Sequence, residues 1–403
     1  MSDRRVVIVG GGQAGGRVAL SLREGGFQGD ITLVAAEPYL PHERPPLSKD
    51  LLTGLSEPEG TYLADAARLA ELNIAVITAT PATAVNPDRR QVSLADGRHL
   101  DYDDLVLATG SLPRQLTMNG KQGVLPVLRS MDDALGLRER LHPGSTLAVV
   151  GGGVIGLELA SSALARGVRP VIIEAADRVM ARQIGPAASR FIEALHREAG
   201  STLYLGRGLR DVQQSADGFV MTLDDGFEIR ADCAVAAIGV TPDTALAEAA
   251  GLACDDGILI DARGQTSRPG IWAAGDVARG HVPWSNRPER QESWRNAEGQ
   301  ARRVAASILG VDHAGEDLVP GFWSDQLGHR LQAEGSCQGE EIVRPSTDGS
   351  FAAFHVQDRR LLGCVVLDNP KLAALARRAI GRGAEVDPAA LADPASDPRR
   401  VLR

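Results

Sequence analysis

Two short glycine runs, each followed by an acid, carry the clearest chemistry in the sequence. Gly10, Gly12 and Gly15 stand in G-x-G-x-x-G spacing, and Gly151, Gly153 and Gly156 repeat it. Glu37 follows the first run and Glu174 the second, each roughly 20 residues beyond its loop. Such a loop suits a pyrophosphate. The first glycine permits a tight turn, and the second lets the backbone approach the phosphates. The third lets the next helix pack near the preceding strand, so that its amides and dipole face the anion. The acid accepts hydrogen bonds from a ribose diol. At the second loop a carboxylate also repels a 2′-phosphate, so Glu174 predicts NADH over NADPH. Arg178 and Arg182 lie near enough to soften that preference, and Arg182 also reads as a pyrophosphate contact.

Two loops imply two bound dinucleotides, one donating a hydride and one accepting it. FAD with a nicotinamide nucleotide is the common combination. The loops need strands and helices to hold them. Residues 6–9 form a continuous β-branched run, the pattern of a strand buried on both faces. Residues 15–23 then read as a helix and 31–35 as the next strand. Around the second loop the pattern recurs: Thr146–Val150 as strand, 158–166 as helix, 171–173 as strand. Two further strands, 104–107 and 271–274, end in the small-residue turns Ala108-Thr109-Gly110 and Gly275-Asp276. Asp276 is placed to accept from a ribityl chain or to cap a helix. A helix from residue 296 runs to Gly310. Residues 349–356 and 361–367 read as hairpin strands, and 371–380 as a helix.

The expected fold class is α/β. It comprises two Rossmann-like dinucleotide-binding domains (FAD and NAD, glutathione-reductase-like) plus a smaller α+β C-terminal domain. The FAD domain is placed at 1–111 and 238–320, the inserted NAD domain at 112–237, and the C-terminal domain at 321–403. The length of 403 residues suits two or three such domains. A net charge of −9 argues against nucleic acid as a partner. No apolar run reaches membrane-spanning length and no signal peptide is visible, so a soluble, cytoplasmic protein is expected. Cys233, Cys254, Cys337 and Cys364 are isolated, without C-x-x-C spacing, so neither a redox dithiol nor a metal site is expected.

Three further segments narrow the reading: Arg44-Pro45-Pro46-Leu47-Ser48-Lys49, Glu292-Ser293-Trp294-Arg295-Asn296-Ala297 and Trp323-Ser324-Asp325-Gln326. With the loops, they resemble the NADH-dependent ferredoxin reductases that feed bacterial oxygenases, the family of the putidaredoxin and biphenyl dioxygenase reductases. The resemblance runs from Arg5 to about Arg382. It implies FAD contacts from Gly10, Gly12, Ala14, Gly15, Glu37, Arg44, Lys49, Ala82, Thr109, Gly110, Arg129, Gly275, Asp276 and Trp294. It implies NAD contacts from Gly151, Gly153, Ile155, Gly156, Glu158, Glu174, Arg182 and Gly239. The helix opening at Trp294 would point its positive end at the flavin ring.

No side chain need act as a covalent nucleophile, because the cofactor carries the chemistry. Lys49, Glu158 and Trp323 are the expected positioning residues. Glu158, read as lying in the first turn of its helix, would bind the nicotinamide amide. Lys49 would pair with Glu158 and bring positive charge near flavin N5, and Trp323 would flank the nicotinamide. The early cysteines of the disulfide reductases are absent, so electrons should leave the flavin directly, one at a time. The implied acceptor is a [2Fe-2S] ferredoxin serving a Rieske dioxygenase or a haem-thiolate monooxygenase. Arg279, Arg287, Arg290, Arg295, Arg302 and Arg303 form a basic stretch suited to docking it. Two other readings stay open: a reductase for rubredoxin or another acceptor, and a non-catalytic NADH-sensing flavoprotein.

Overall fold

The run Val6-Val7-Ile8-Val9 has no polar face, and in the computed structural model all four side chains are buried. The structure describes residues 4–118, 121–123, 125–216, 218–282, 287–312, 319–345 and 350–403. The chain divides into two compact units. The first comprises Met1–Pro46, Ser56–Leu112 and Val240–Leu318; the second comprises Leu47–Leu55, Pro113–Gly239 and Val319–Arg403.

In the first unit the strand Arg5–Val9 sits at the centre of a five-stranded sheet. The order is Ile271–Ala273, Asp104–Leu107, Arg5–Val9, Asp30–Val34, Ile74–Ile77, and every neighbour is parallel. Helices Gln13–Glu24 and Trp294–Leu309 cover one face, sharing a core with Val6, Ile8, Val106 and Trp272. The other face packs on Val85 and Val92 from a small antiparallel meander and on Tyr102 just after it. One buried acid stands at a strand start. Asp104 is 3% exposed and accepts from Trp272 Nε1 at 2.9 Å and from Arg4 Nε at 2.7 Å.

The second unit repeats the motif with four parallel strands in the order Thr202–Leu205, Arg169–Glu174, Thr146–Val150, Cys233–Ala236. It also holds a five-stranded antiparallel sheet in the order Gly321–Gln326, His329–Gly335, Arg360–Leu367, Phe351–Gln357, Glu340–Arg344. The expected hairpin pairs Val356 with Leu361; Gly349, which the sequence reading assigned to it, lies outside the described residues. Helix Pro370–Gly381 packs on this sheet. Beyond Arg382, where the family resemblance read from the sequence ends, the chain forms two short helices, Pro388–Ala392 and Pro398–Val401. Each opens on an Asp-Pro pair, with Asp387 and Asp397 accepting from the amides of Ala389 and Arg399. Arg344 fastens this tail by donating to the carbonyls of Leu391, Pro394 and Ser396.

Two helix boundaries correct the sequence reading, and the first loop's helix starts at Gln13, behind its N-cap Gly12, rather than at residue 15. The second loop's helix spans Val154–Ala165, not 158–166, because Gly153 is its N-cap and Gly156 sits inside its first turn. Glu158 therefore lies in the second turn and is buried, 5% exposed, rather than standing at the helix mouth.

Replacing Trp272 with Phe would keep the ring but leave a buried carboxylate oxygen of Asp104 without its donor. Such a loss costs about 1–3 kcal/mol. Urea unfolding should show the lower midpoint with an unchanged m-value; an unchanged midpoint would contradict the role given to this bond.

Candidate functional site

The two glycine loops have the same construction. Gly10 and Gly151 take positive φ, +127° and +112°. A Cβ on either would collide with a neighbouring strand's carbonyl, that of Ala108 or Ala237. A Cβ on Gly15 or Gly156 would strike the carbonyl of Gly10 or Gly151, so each helix rests directly on its own turn. The middle glycines differ in kind. A Cβ on Gly153 would meet nothing within 4 Å, and one on Gly12 only Arg44 Nε at 3.8 Å. Space therefore lies where a pyrophosphate must come close.

Both loop helices also start without a side-chain cap and without an acid in the first turn. Several other helices are capped by a side chain: Ser130 with Asp133, Ser293, Asn369 and Asp65 all accept from first-turn amides. Open amides at a positive helix end are what a dinucleotide phosphate needs. In the first loop the buried Gln13 donates to Glu298 at 2.5 Å, while its Oε1 has no partner among the described residues. These features fit a dinucleotide at each loop.

The acids are not equivalent in position. Gly10 N donates to Val34 O, and Gly151 N to Ile173 O. Glu174 thus matches Ala35, and Glu37 stands two residues further on. Glu174 is oriented by backbone: Gly152 N donates to its Oε2 at 2.6 Å and Ala176 N to its Oε1 at 2.8 Å. Among the described residues each oxygen thereby keeps one acceptor position, a match for the two hydroxyls of a ribose. Arg178 is spent on the carbonyls of Ala181 and Ile184, whereas Arg182 lies beside Gly239 (φ +104°). Ile155, in the helix's first turn, is 40% exposed. In the first unit Arg44 pairs with Glu37 at 3.1 Å.

Other expected FAD residues are placed as follows. Gly275 and Gly110 take positive φ, and Gly275 N donates to the buried Gln300 side chain at 2.8 Å. A Cβ on Gly275 would press on Ala14 at 2.9 Å. Ser111 donates to Asp276 at 3.2 Å, and Thr109 to Asp243 O at 2.7 Å. Trp294 is the first residue of its helix, behind the Ser293 cap, and its indole donates to Glu43 at 3.1 Å. Ala82 begins a strand of the meander. Arg129 and Lys49 belong to the second unit, the remaining FAD residues to the first.

Within the second unit the structure brings Lys49, Glu158 and Trp323 together. Lys49 Nζ lies 3.3 Å from Glu158 Oε1, 3.1 Å from Asp325 Oδ2 and 5.9 Å from the Trp323 ring centre. Ser48 donates to Glu158 Oε2 at 2.5 Å and Ser324 to Oε1 at 2.6 Å. Burial pushes the Glu158 carboxyl above its ordinary range, while Lys49, Ser324 and Ser48 pull it back. Asp325 is held below the usual carboxylate range: burial opposes this, but the hydrogen bonds from Arg330 and Lys49 outweigh it. Three donors among the described residues occupy Glu158, two of them on Oε1, which leaves one acceptor position on Oε2.

With this geometry, comparison with known proteins is decisive. Residues 4–301 match the pyridine nucleotide-disulphide oxidoreductases, and 321–402 match a reductase C-terminal domain. The chain belongs to the pyridine nucleotide-disulphide oxidoreductase family. It is 41% identical to putidaredoxin reductase of Pseudomonas putida, over 92% of this chain and 90% of that one. It is 36% identical to the ferredoxin reductase component of chlorobenzene dioxygenase from Cupriavidus sp. (strain PS12), over 99% and 97%. Among solved structures, the covalent putidaredoxin reductase–putidaredoxin complex matches with a TM-score of 0.93 at 38% identity, covering 100% of this chain and 99% of that one. The two-Rossmann fold class with its α+β C-terminal domain agrees with these relatives.

Family membership also frames what the sequence missed. Ser48, Ser324, Asp325 and Gln326 surround Lys49 and Glu158, while Glu298 ties the Trp294 helix to the first loop and Gln300 ties it to the Gly275 turn. Both Ser324-Asp325-Gln326 and Ser48 lay inside quoted motifs, but spacing alone gave them no role. The arginine stretch changes character. Arg279 pairs with Asp255, Arg287 with Glu289, Arg290 with Asp256 and Glu292, and Arg302 with Glu298. Arg303 is held below its ordinary range by burial. Four of the six arginines thus carry an ion pair in the first unit.

Glu174→Ala should weaken NADH binding by about 10- to 100-fold, since a hydrogen bond to a charged group is worth roughly 1.5–3 kcal/mol. It should also narrow the gap between NADH and NADPH in kcat/KM. An unchanged ratio would refute the ribose role of Glu174.

Proposed function

We propose that this chain is an FAD-dependent NADH:ferredoxin reductase, passing electrons from NADH to a [2Fe-2S] ferredoxin that serves a bacterial oxygenase. One observation carries the reading. The chain has two equivalent nucleotide loops, yet the segment Leu47–Leu55 presents Ser48 and Lys49 to Glu158 and contains no cysteine. Nothing there can take electrons onto sulfur, so they must leave for an external carrier. The curated relatives at 35–41% identity named as ferredoxin or putidaredoxin reductases support the same destination.

The first loop would hold FAD, with Gly10, Gly12, Gly15, Glu37, Arg44 and Asp276 around it. The second would hold NADH, with Gly151, Gly153, Gly156, Glu174 and Arg182. When bound, FAD supplies the conversion of one hydride into two single-electron deliveries. The protein's share is placement. Glu174 would select the ribose diol. Glu158 would offer its remaining acceptor position to the nicotinamide carboxamide. Lys49, clamped between Glu158 and Asp325, would supply fixed positive charge, and Trp323 an apolar wall. Among the described residues no helix is long and apolar enough to cross a membrane. We place the protein in the cytoplasm, where NADH is available.

Purified holoenzyme should reduce ferricyanide with NADH, prefer NADH to NADPH, and reduce an oxygenase-type [2Fe-2S] ferredoxin faster than rubredoxin or a quinone. Lys49→Met and Glu158→Ala should each lower the rate of flavin reduction by NADH at least tenfold. Slow turnover with every acceptor, together with NADH-driven dimerisation, would replace this reading with that of an NADH sensor. Equal rates with rubredoxin would broaden the acceptor class.

A further inference from the structure

A carboxylate only accepts hydrogen bonds, and this sets the direction of every bond behind Glu158. Ser324 Oγ, 2.6 Å from Glu158 Oε1, must donate. Its lone pairs then face Gln326, whose Nε2 lies 2.8 Å away and must be the next donor. That orientation turns Gln326 Oε1 to His196 Nε2 at 3.0 Å, so this ring nitrogen carries the proton. His196 Nδ1 is then an acceptor, and the Ser201 hydroxyl, 3.3 Å away, donates to it. Four side chains from three separate elements thus form one file in which every proton points toward Glu158. All four are buried, His196 and Ser324 completely. Burial holds the His196 imidazole below its ordinary range, which suits the neutral tautomer the file requires.

The alternative orientation fails by counting. With the Gln326 amide reversed, its oxygen would face Ser324, whose single proton would have to serve both Gln326 and Glu158. Glu158 would lose a donor, and the amide nitrogen would need an acceptor at His196 Nε2.

Given that the second loop takes NADH, on which this step rests, we infer that Gln326 and His196 are positioning residues for Glu158. They hold the Ser324 hydroxyl as a donor, keep the carboxylate ionised opposite Lys49, and so set the affinity for the nicotinamide half of the nucleotide. The charged and titratable groups facing Glu158 are Lys49 from the segment 47–55, Asp325 with Arg330 from the C-terminal sheet, and His196 through the file. Lys49 and the hydroxyls favour the anion; burial opposes it. Weakening the Ser324 donor raises the Glu158 pKa. Because the protonated form is a poorer acceptor for a carboxamide, affinity is then lost at higher pH as pH falls.

The test is NAD+ binding to oxidised holoenzyme by titration calorimetry from pH 5.5 to 8.5. Gln326→Leu and His196→Phe leave the Ser324 donor in place but remove what polarises it, and should each weaken NAD+ about two- to fourfold at pH 7, the share that cooperativity adds to a hydrogen bond to a charged group. They should also move the pH midpoint of binding upward. His196→Gln, which can return an N–H toward Gln326, should restore both values. Gln326→Glu keeps the shape but replaces the donor with an acceptor, and should lose at least as much as Gln326→Leu. Wild-type affinity and midpoint in both Gln326 variants would overturn the inference, as would His196→Gln behaving like His196→Phe. A wild-type holoenzyme that binds no nicotinamide nucleotide would overturn the functional reading itself, and this inference with it.

Discussion

A helix can rest on the turn that precedes it only where no side chain stands between them. In both units that contact is a glycine against a glycine carbonyl: Gly15 on Gly10, Gly156 on Gly151. The rest of the architecture follows from it. The contact places each helix start over the carboxyl ends of a parallel sheet and fixes where the next strand returns, which in turn places Glu174. It also explains why these two helices go without side-chain caps, while several other helices of the chain have them. A capping side chain would fill the space and use the amides that a phosphate needs.

The second constraint is the cost of burying charge. Glu158 lies in the interior of the second unit, where an isolated carboxylate would protonate. It is surrounded by an ammonium and two hydroxyls, and the ammonium is shared with Asp325, which is itself held by Arg330. Removing one member leaves the others with an unmatched charge, so the group behaves as a unit. This explains how residues 48, 158 and 324, far apart in sequence, can hold one geometry without any covalent link.

The loops were legible because their signal is local: strand, glycines, helix, strand and acid lie within about 30 residues. Lys49 and Glu158 were expected as a positioning pair, and the geometry brings the two together at 3.3 Å. The start of the Glu158 helix was misread because Gly156 looks like loop, although a glycine inside a helix is tolerated when packing needs it. Ser324, Gln326 and His196 were silent, since their relation to Glu158 exists only once a strand, a helix and a loop have packed. The ion pairing of the arginine stretch was hidden for a related reason. Sequence displays its charge but not the approach of Asp255 and Asp256, which come from elsewhere in the chain to pair with Arg279 and Arg290.

The fastening of the tail by Arg344 has a further consequence. Strand Glu340–Arg344 is one border of the antiparallel sheet, and a bare border offers unpaired backbone groups to any passing strand. Helix Pro388–Ala392 packs against it, and the Arg344 guanidinium holds the tail by three carbonyls. At the opposite border, the turn after Gly321–Gln326 is tied through the Leu327 amide to Ser161 of the second loop's helix. The final residues thus act as a guard rail along the border of the C-terminal sheet, where they occupy the side that another strand would approach.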